Sequence, residues 1–208
     1  MNNVQTPPAG NASAKNLAAT NRLVFPHRVA NLSIRVDGAM AGFYRGEFRG
    51  PQPRVTQSNG VISVEYARFN PLIWGRAAAD ITISPSVRWR LEIREGVSHL
   101  VADLREVEVD GIDIQGGVSQ ADLHLPRPVG IVPIRISGGV SRLTVHRPAD
   151  VAARVQIGGG ASKLALDDQY LGAVGGPVRL ESSDYRNVPH RYDLEIGGGA
   201  SRITVGRD

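Results

Sequence analysis

Ile134-Arg-Ile-Ser-Gly-Gly-Val-Ser-Arg-Leu-Thr-Val145 decides the fold, because the phrase returns along the chain. It reappears as Ile93-Arg-Glu-Gly-Val-Ser-His-Leu100, Ile114-Gln-Gly-Gly-Val-Ser-Gln-Ala121, Ile157-Gly-Gly-Gly-Ala-Ser-Lys-Leu164 and Ile196-Gly-Gly-Gly-Ala-Ser-Arg-Ile203. Its serines stand at 98, 119, 141, 162 and 201, so the steps are 21, 22, 21 and 39. A fixed period of this length marks a stacked-repeat architecture, in which each unit buries its apolar face only against its neighbours.

Within one unit, Ile134 and Ile136 alternate with Arg135 and Ser137, and Leu143 and Val145 alternate with Thr144 and His146. Period-2 alternation sends one set of side chains inward and the other to solvent. The glycine pair between the two short strands suits a corner that needs positive φ or a close backbone approach. Two strands and two corners make one coil, and coils stack about 4.8 Å apart. Four inward columns follow, taken in chain order: Leu91, Ile112, Ile134, Val155, Leu194; Ile93, Ile114, Ile136, Ile157, Ile196; Leu100, Ala121, Leu143, Leu164, Ile203; and Ala102, Leu123, Val145, Leu166, Val205. A one-residue slip would turn all of them outward, so this agreement specifies the register. The fold class is all-β, a single β-solenoid of β-helix type. The repeated serine is expected to form an internal hydroxyl ladder, since a nucleophile is needed once and not five times.

The Gly-Gly-(Val/Ala)-Ser-x-(Leu/Ile) corner resembles that of bacterial toast-rack domains, the β-solenoid modules of adhesin-like (head-GIN-like) families and of cell-envelope stress-response proteins. The similarity covers about residues 28–207 and is strongest over 89–205. It implies a toast-rack solenoid with an interaction role, and it carries no catalytic residue over to this chain.

Composition bounds the remaining possibilities. The 208 residues hold no cysteine, which excludes disulfides and thiolate metal sites. The N-terminus has no signal-peptide pattern and no apolar run approaches the roughly 20 residues of a membrane span, so a cytoplasmic protein is expected. The net charge is +4 with 20 acidic residues interspersed, a mixed pattern that disfavours nucleic acid.

Residues 1–22 read as a disordered tail and 23–208 as the solenoid domain. Within it, 23–66 read as atypical N-terminal coils, 67–88 as an insertion, 89–166 as regular coils, 167–192 as a second insertion and 193–208 as the last coil. Phe43, Tyr44, Phe48 and Tyr66 are expected to plug the open N-terminal end. The final coil lies so near the C-terminus that it is expected to leave an uncapped edge, open to end-to-end pairing with another copy.

No nucleophile elbow, metalloprotease helix, calcium loop or phosphate-binding loop is present. The expectation is therefore a non-enzymatic scaffold without a cofactor, binding a protein partner or assembling into a homo-oligomer through faces and ends. Partner-binding candidates are Leu72, Ile73 and Trp74 in the first insertion and Tyr170, Tyr185 and Tyr192 in or beside the second. A cationic stripe runs through His99, Arg142, Lys163 and Arg202, with Gln120 among them. No metal is expected; the alternative is a column of Asp103, His124, His146 and Asp167 on four successive coils. Carbohydrate or envelope-polymer binding is the second reading, discriminated by an aromatic platform. A polysaccharide-cleaving β-helix enzyme is the third, and it lacks a cluster of acids and bases.

Overall fold

A computed structural model describes residues 20–66 and 77–208, and among these residues there are eighteen strands and no helix. The strands form two nine-stranded sheets, packed face to face, and each rung of the stack contributes one strand to each sheet. The rungs are β1 (Thr20–Phe25) with β2 (Val29–Val36), β5 (Val61–Glu65) with β6 (Ala78–Ile83), β7 (Arg88–Ile93) with β8 (Val97–Asp103), and β9 (Val109–Ile114) with β10 (Val118–His124). Three more follow: β11 (Ile131–Ile136) with β12 (Val140–Arg147), β13 (Ala152–Ile157) with β14 (Ala161–Leu166), and β17 (Arg191–Ile196) with β18 (Ala200–Arg207). Neighbouring rungs pair in parallel throughout.

Alternation is what makes these segments strands. Arg88–Ile93 and Arg191–Ile196 bury every second residue, and the buried set meets its counterpart across the stack. One column reads Ile62, Leu23, Leu91, Ile112, Ile134, Leu194, Val155, and another reads Phe25, Ile93, Ile114, Ile136, Ile196, Ile157. A buried Leu or Ile contributes about 1.5–3 kcal/mol, so slipping one rung by a residue forfeits about 6–12 kcal/mol from its four inward aliphatics. That margin fixes the register.

The order of the rungs differs from the order of the chain. The C-terminal rung, β17 and β18, lies between β11–β12 and β13–β14. The inward column of the second sheet therefore runs Leu100, Ala121, Leu143, Ile203, Leu164, with Ile203 ahead of Leu164. The N-terminal end is built alike: β1 and β2 lie between β5–β6 and β7–β8. The expected uncapped last coil is thus an interior rung, bonded on both edges. The first strand also begins at Thr20, inside the segment expected to be a tail.

Antiparallel strands close both ends. β4 (Arg54–Ser58) folds onto β5 through Asn59 and Gly60, whose φ values of 48° and 75° make the tight turn that the Asn-Gly pair announces. β3 (Tyr44–Arg49) pairs with β6; at the far end β15 (Gln169–Leu171) pairs with β14 and β16 (Val178–Glu181) with β13. Phe48 and Tyr66 are buried here and Tyr44 half-buried, whereas Phe43 is exposed. β6 is a full rung strand within the stretch expected to be an insertion.

The corners stack backbone on backbone. Gly138 N donates to Gly116 O at 3.2 Å, Gly198 N to Gly138 O at 3.2 Å, and Gly159 N to Gly198 O at 3.2 Å. None of these corner glycines takes a positive φ; close approach is what requires them. A Cβ on Gly116 would lie 1.1 Å from the carbonyl oxygen of Glu95.

Candidate functional site

The corners that bring the rungs together also open a groove of about 830 Å³ along the stack. Its floor is the buried apolar residue after each corner glycine, Val97, Val118, Val140, Ala200 and Ala161. Its wall is the repeated serine: Ser119, Ser141, Ser201 and Ser162 are exposed and Ser98 is half-buried. This overturns the expected internal ladder. The serine immediately follows the inward Val or Ala, and alternation turns it to solvent. Among the described residues the rung-to-rung serine contacts are those of one pair, Ser162 Oγ to the Ser201 carbonyl and, at 3.4 Å, to the Ser201 hydroxyl. Ala173, Val174 and Gly175 close one end, where Val174 and Ala161 exchange backbone hydrogen bonds, and Arg28 stands at the other.

Beside the groove runs the cationic stripe. In register it reads Asn31, His99, Gln120, Arg142, Arg202, Lys163, so three cations stand in succession and the interleaved last rung puts Arg202 between Arg142 and Lys163. Arg142 donates to Gln120 Oε1 at 3.1 Å, and none of Arg142, Arg202 and Lys163 has an ion-pair partner among the described residues. Unit charges about 5 Å apart in water repel by about 0.8 kcal/mol, and an acidic partner relieves that repulsion.

The outer face of the first sheet is the opposite case. Arg22 meets Glu92 at 2.7 Å, Arg135 meets Glu195 at 3.2 Å, Arg154 meets Asp193 at 2.6 Å, and Arg90 pairs with Asp113. Its charges are consumed internally. The hydrogen bond from Arg22 holds the Glu92 carboxyl below its ordinary range.

The aromatic candidates separate. Leu72, Ile73 and Trp74 lie outside the described residues. Tyr170 is exposed, at 64%. Tyr185 and Tyr192 are buried and hold the fold instead of meeting a partner. Tyr192 donates its hydroxyl to the Pro126 carbonyl at 2.8 Å, and burial pushes its phenol up. Tyr185 bonds Asp193 and lies under the guanidinium groups of Arg154 and Arg191, 5.1 and 4.8 Å from its ring centre.

The imidazole column is brought together only in part. His124 and His146 are register partners whose rings stack 4.3 Å apart and 3° from parallel. Asp103 is next to His124 but is taken by Arg105, whose hydrogen bond holds its carboxyl low. Asp167 is excluded, because the last rung separates it from His146. It accepts both bonds of Arg147, a guanidinium with no exposed side-chain surface, at 2.7 Å. Two carboxylates unmarked in the sequence take these places. Asp122 Oδ1 lies 3.5 Å from His124 Nε2 and 3.4 Å from His146 Nε2. On the opposite ring edge, Asp208 lies 3.0 Å from His146 Nδ1 and 3.9 Å from His124 Nδ1. The i, i+2 spacing of Asp122 and His124 on one strand was the signal for the first. Asp208 is legible only once the last rung is known to lie beside β12.

Among the described residues no helix is long and apolar enough to cross a membrane. Residues 51–146 match the family model described as the N-terminal domain of toast_rack, DUF2154. In structure the chain is similar to a "putative cell adhesion protein" from Clostridium sporogenes ATCC 15579, with a TM-score of 0.69 and 17% identity, covering 93% of this chain and 95% of that one. A "putative adhesin" from Bacteroides fragilis NCTC 9343 aligns over 90% of this chain and 93% of its own at a TM-score of 0.33 and 10% identity, too weak a likeness to argue from. No curated protein matches in sequence. The architecture is that of a toast-rack β-solenoid.

Proposed function

We propose that this toast-rack β-solenoid is a non-enzymatic interaction module that docks an elongated acidic protein segment along its glycine–serine corner. The observation that carries the reading is the groove itself: an apolar floor, a serine on each of five rungs, four of them exposed, and a border of three cations without ion-pair partners among the described residues. Five rungs about 4.8 Å apart span about 19 Å, the length of about six residues of extended chain at about 3.3 Å each. Side-chain-free corners let a partner backbone approach, and the serines offer it both donors and acceptors. The name of the Clostridium structure, a cell adhesion protein, agrees with an interaction role. Capped ends move the expected binding surface from the solenoid's termini to this flank.

The test is fluorescence anisotropy with a labelled glutamate-rich peptide against a neutral peptide of equal length and a panel of neutral and anionic glycan oligomers. The expected result is salt-dependent binding of the acidic peptide, weakened about tenfold when Arg142, Arg202 and Lys163 are all replaced by Ala. Each exposed pair contributes about 0.2–1 kcal/mol, which sets that magnitude. Equal binding by the triple variant refutes the reading. A glycan response in place of the peptide response transfers it to carbohydrate binding, which the row of hydroxyls and the exposed Tyr170 also support. The same reading keeps the protein in the cytoplasm; recovery of the tagged native chain in the envelope fraction refutes that placement.

A further inference from the structure

We propose that Asp122, His124 and His146 form a binding site for a divalent transition cation of the zinc class on the outer face of the second sheet, with Asp208 as the supporting carboxylate. The site is separate from the corner groove and independent of what docks there.

The geometry carries the inference in three steps. First, each of the three residues offers a ligand atom, and these atoms lie within 4.8 Å of one another. A tetrahedral zinc with ligands at about 2.0–2.1 Å has ligand–ligand edges of about 3.3–3.4 Å. The two edges running from Asp122 Oδ1, 3.5 and 3.4 Å, already match. The third edge, between the two Nε2 atoms, closes when each ring tilts from parallel toward the other.

Second, a polar atom at the centre of the cluster lacks a partner. Asp122 Oδ1, which faces both Nε2 atoms, is a buried atom with no hydrogen-bond partner. Asp208 lies 3.0 Å from His146 Nδ1 and holds that ring with its Nε2 edge turned toward Asp122. A buried carboxylate oxygen with no donor of its own, facing two imidazole nitrogens, is a place where a cation completes the contacts.

Third, Asp208 stands where the supporting carboxylate of a metal-bound histidine stands. It orients the ring and raises the basicity of the nitrogen that holds the ion. Two imidazoles and one carboxylate suit zinc, nickel or copper in preference to magnesium or calcium. Both histidine side chains are about 30% exposed, so an ion reaches them from solvent.

Titrating the full chain with Zn²⁺ by calorimetry, and with Co²⁺ followed by visible absorption, tests the site, with Mg²⁺ as the control. The expected result is one saturable site per chain with low-micromolar affinity, cobalt bands of four- or five-coordinate geometry and no response to Mg²⁺. The double variant His124→Gln/His146→Gln is expected to lose binding, and Asp208→Asn to weaken it 10- to 100-fold while keeping the 1:1 ratio. Circular dichroism confirms that each variant is folded. Absence of saturable Zn²⁺ binding below about 0.1 mM refutes the proposal, as does binding unchanged in the double variant. The first of these results means that the three side chains hold no ion, and the second that the ion sits elsewhere.

Discussion

Replacing Gly116 by alanine tests the corner that lets rungs stack. The added Cβ would lie 1.1 Å from Glu95 O, 2.2 Å from its carbonyl carbon and 2.8 Å from Gly96 N. All three are backbone atoms, so no rotamer change clears them. The rungs must part by about 2 Å at this point, which strains the bonds from Gln115 N to Ile93 O at 2.8 Å and from Gly138 N to Gly116 O at 3.2 Å. Two hydrogen bonds at about 1 kcal/mol each and an overpacking cost of about 1–3 kcal/mol give about 3–5 kcal/mol. For a chain of this length that lowers Tm by about 6–20 °C. Thermal and urea unfolding followed by far-ultraviolet circular dichroism measure it. Gly176→Ala is the control, since its Cβ meets nothing within 4 Å, and it is expected to stay within about 0.5 kcal/mol of the parent. A Gly116→Ala chain that melts within about 2 °C of the parent refutes the close-packed corner.

Two further outcomes follow from the buried polar groups. Asp167→Ala strands the buried guanidinium of Arg147, which burial already pushes down in pKa, and is expected to cost about 3–5 kcal/mol in urea denaturation, whereas Arg147→Met/Asp167→Leu, which removes both charges, costs far less. On the alkaline side, burial raises the Tyr66 phenol to about 12 and moves Tyr192 in the same direction. A raised folded pKa contributes stability that is complete below the unfolded value of about 10 and is lost as pH climbs from there through 12. Unfolding free energy should therefore fall over that window, and less steeply in Tyr192→Phe; a slope identical in the two proteins contradicts the assignment.

The columns were legible in the sequence because Ile114, Ile136 and Ile157 each stand at the same offset from a glycine corner, and burial demands that register. Rung order was not. The corners at 138–141, 158–162 and 197–201 offer the same Gly-Gly-(Val/Ala)-Ser edge to either neighbour, so Leu143 fits against Leu164 or Ile203 equally well in pattern. What decides is the 39-residue step between Ser162 and Ser201. It is long enough to cap the end with β15 and β16 and return the chain one rung inward. The same uncertainty hid the imidazole site: Asp167 aligns with His146 by period alone, but the inserted rung puts Gly206 at that register position and brings Asp208, two residues on, to the ring. Tyr185 and Tyr192 looked available because they sit beside a loop, yet their hydroxyls find partners at Asp193 and Pro126 and their rings are enclosed.

The interleaved last rung sets the order of residues along groove and stripe and brings Asp208 to the imidazole pair, and a disulfide trap reads it directly. The chain has no cysteine, so introduced pairs report without background. Thr144 and Thr204 are register partners, whereas Ala165 lies one rung beyond Thr204. Adjacent strands about 4.8 Å apart are within disulfide reach, and rungs about 9.6 Å apart are not. Under mild oxidation, Thr144→Cys/Thr204→Cys is expected to close a bond seen by peptide mass and gel mobility, and Thr144→Cys/Ala165→Cys to remain reduced. The reverse result, with 144 joined to 165 and not to 204, means that the rungs stack in chain order and contradicts the account.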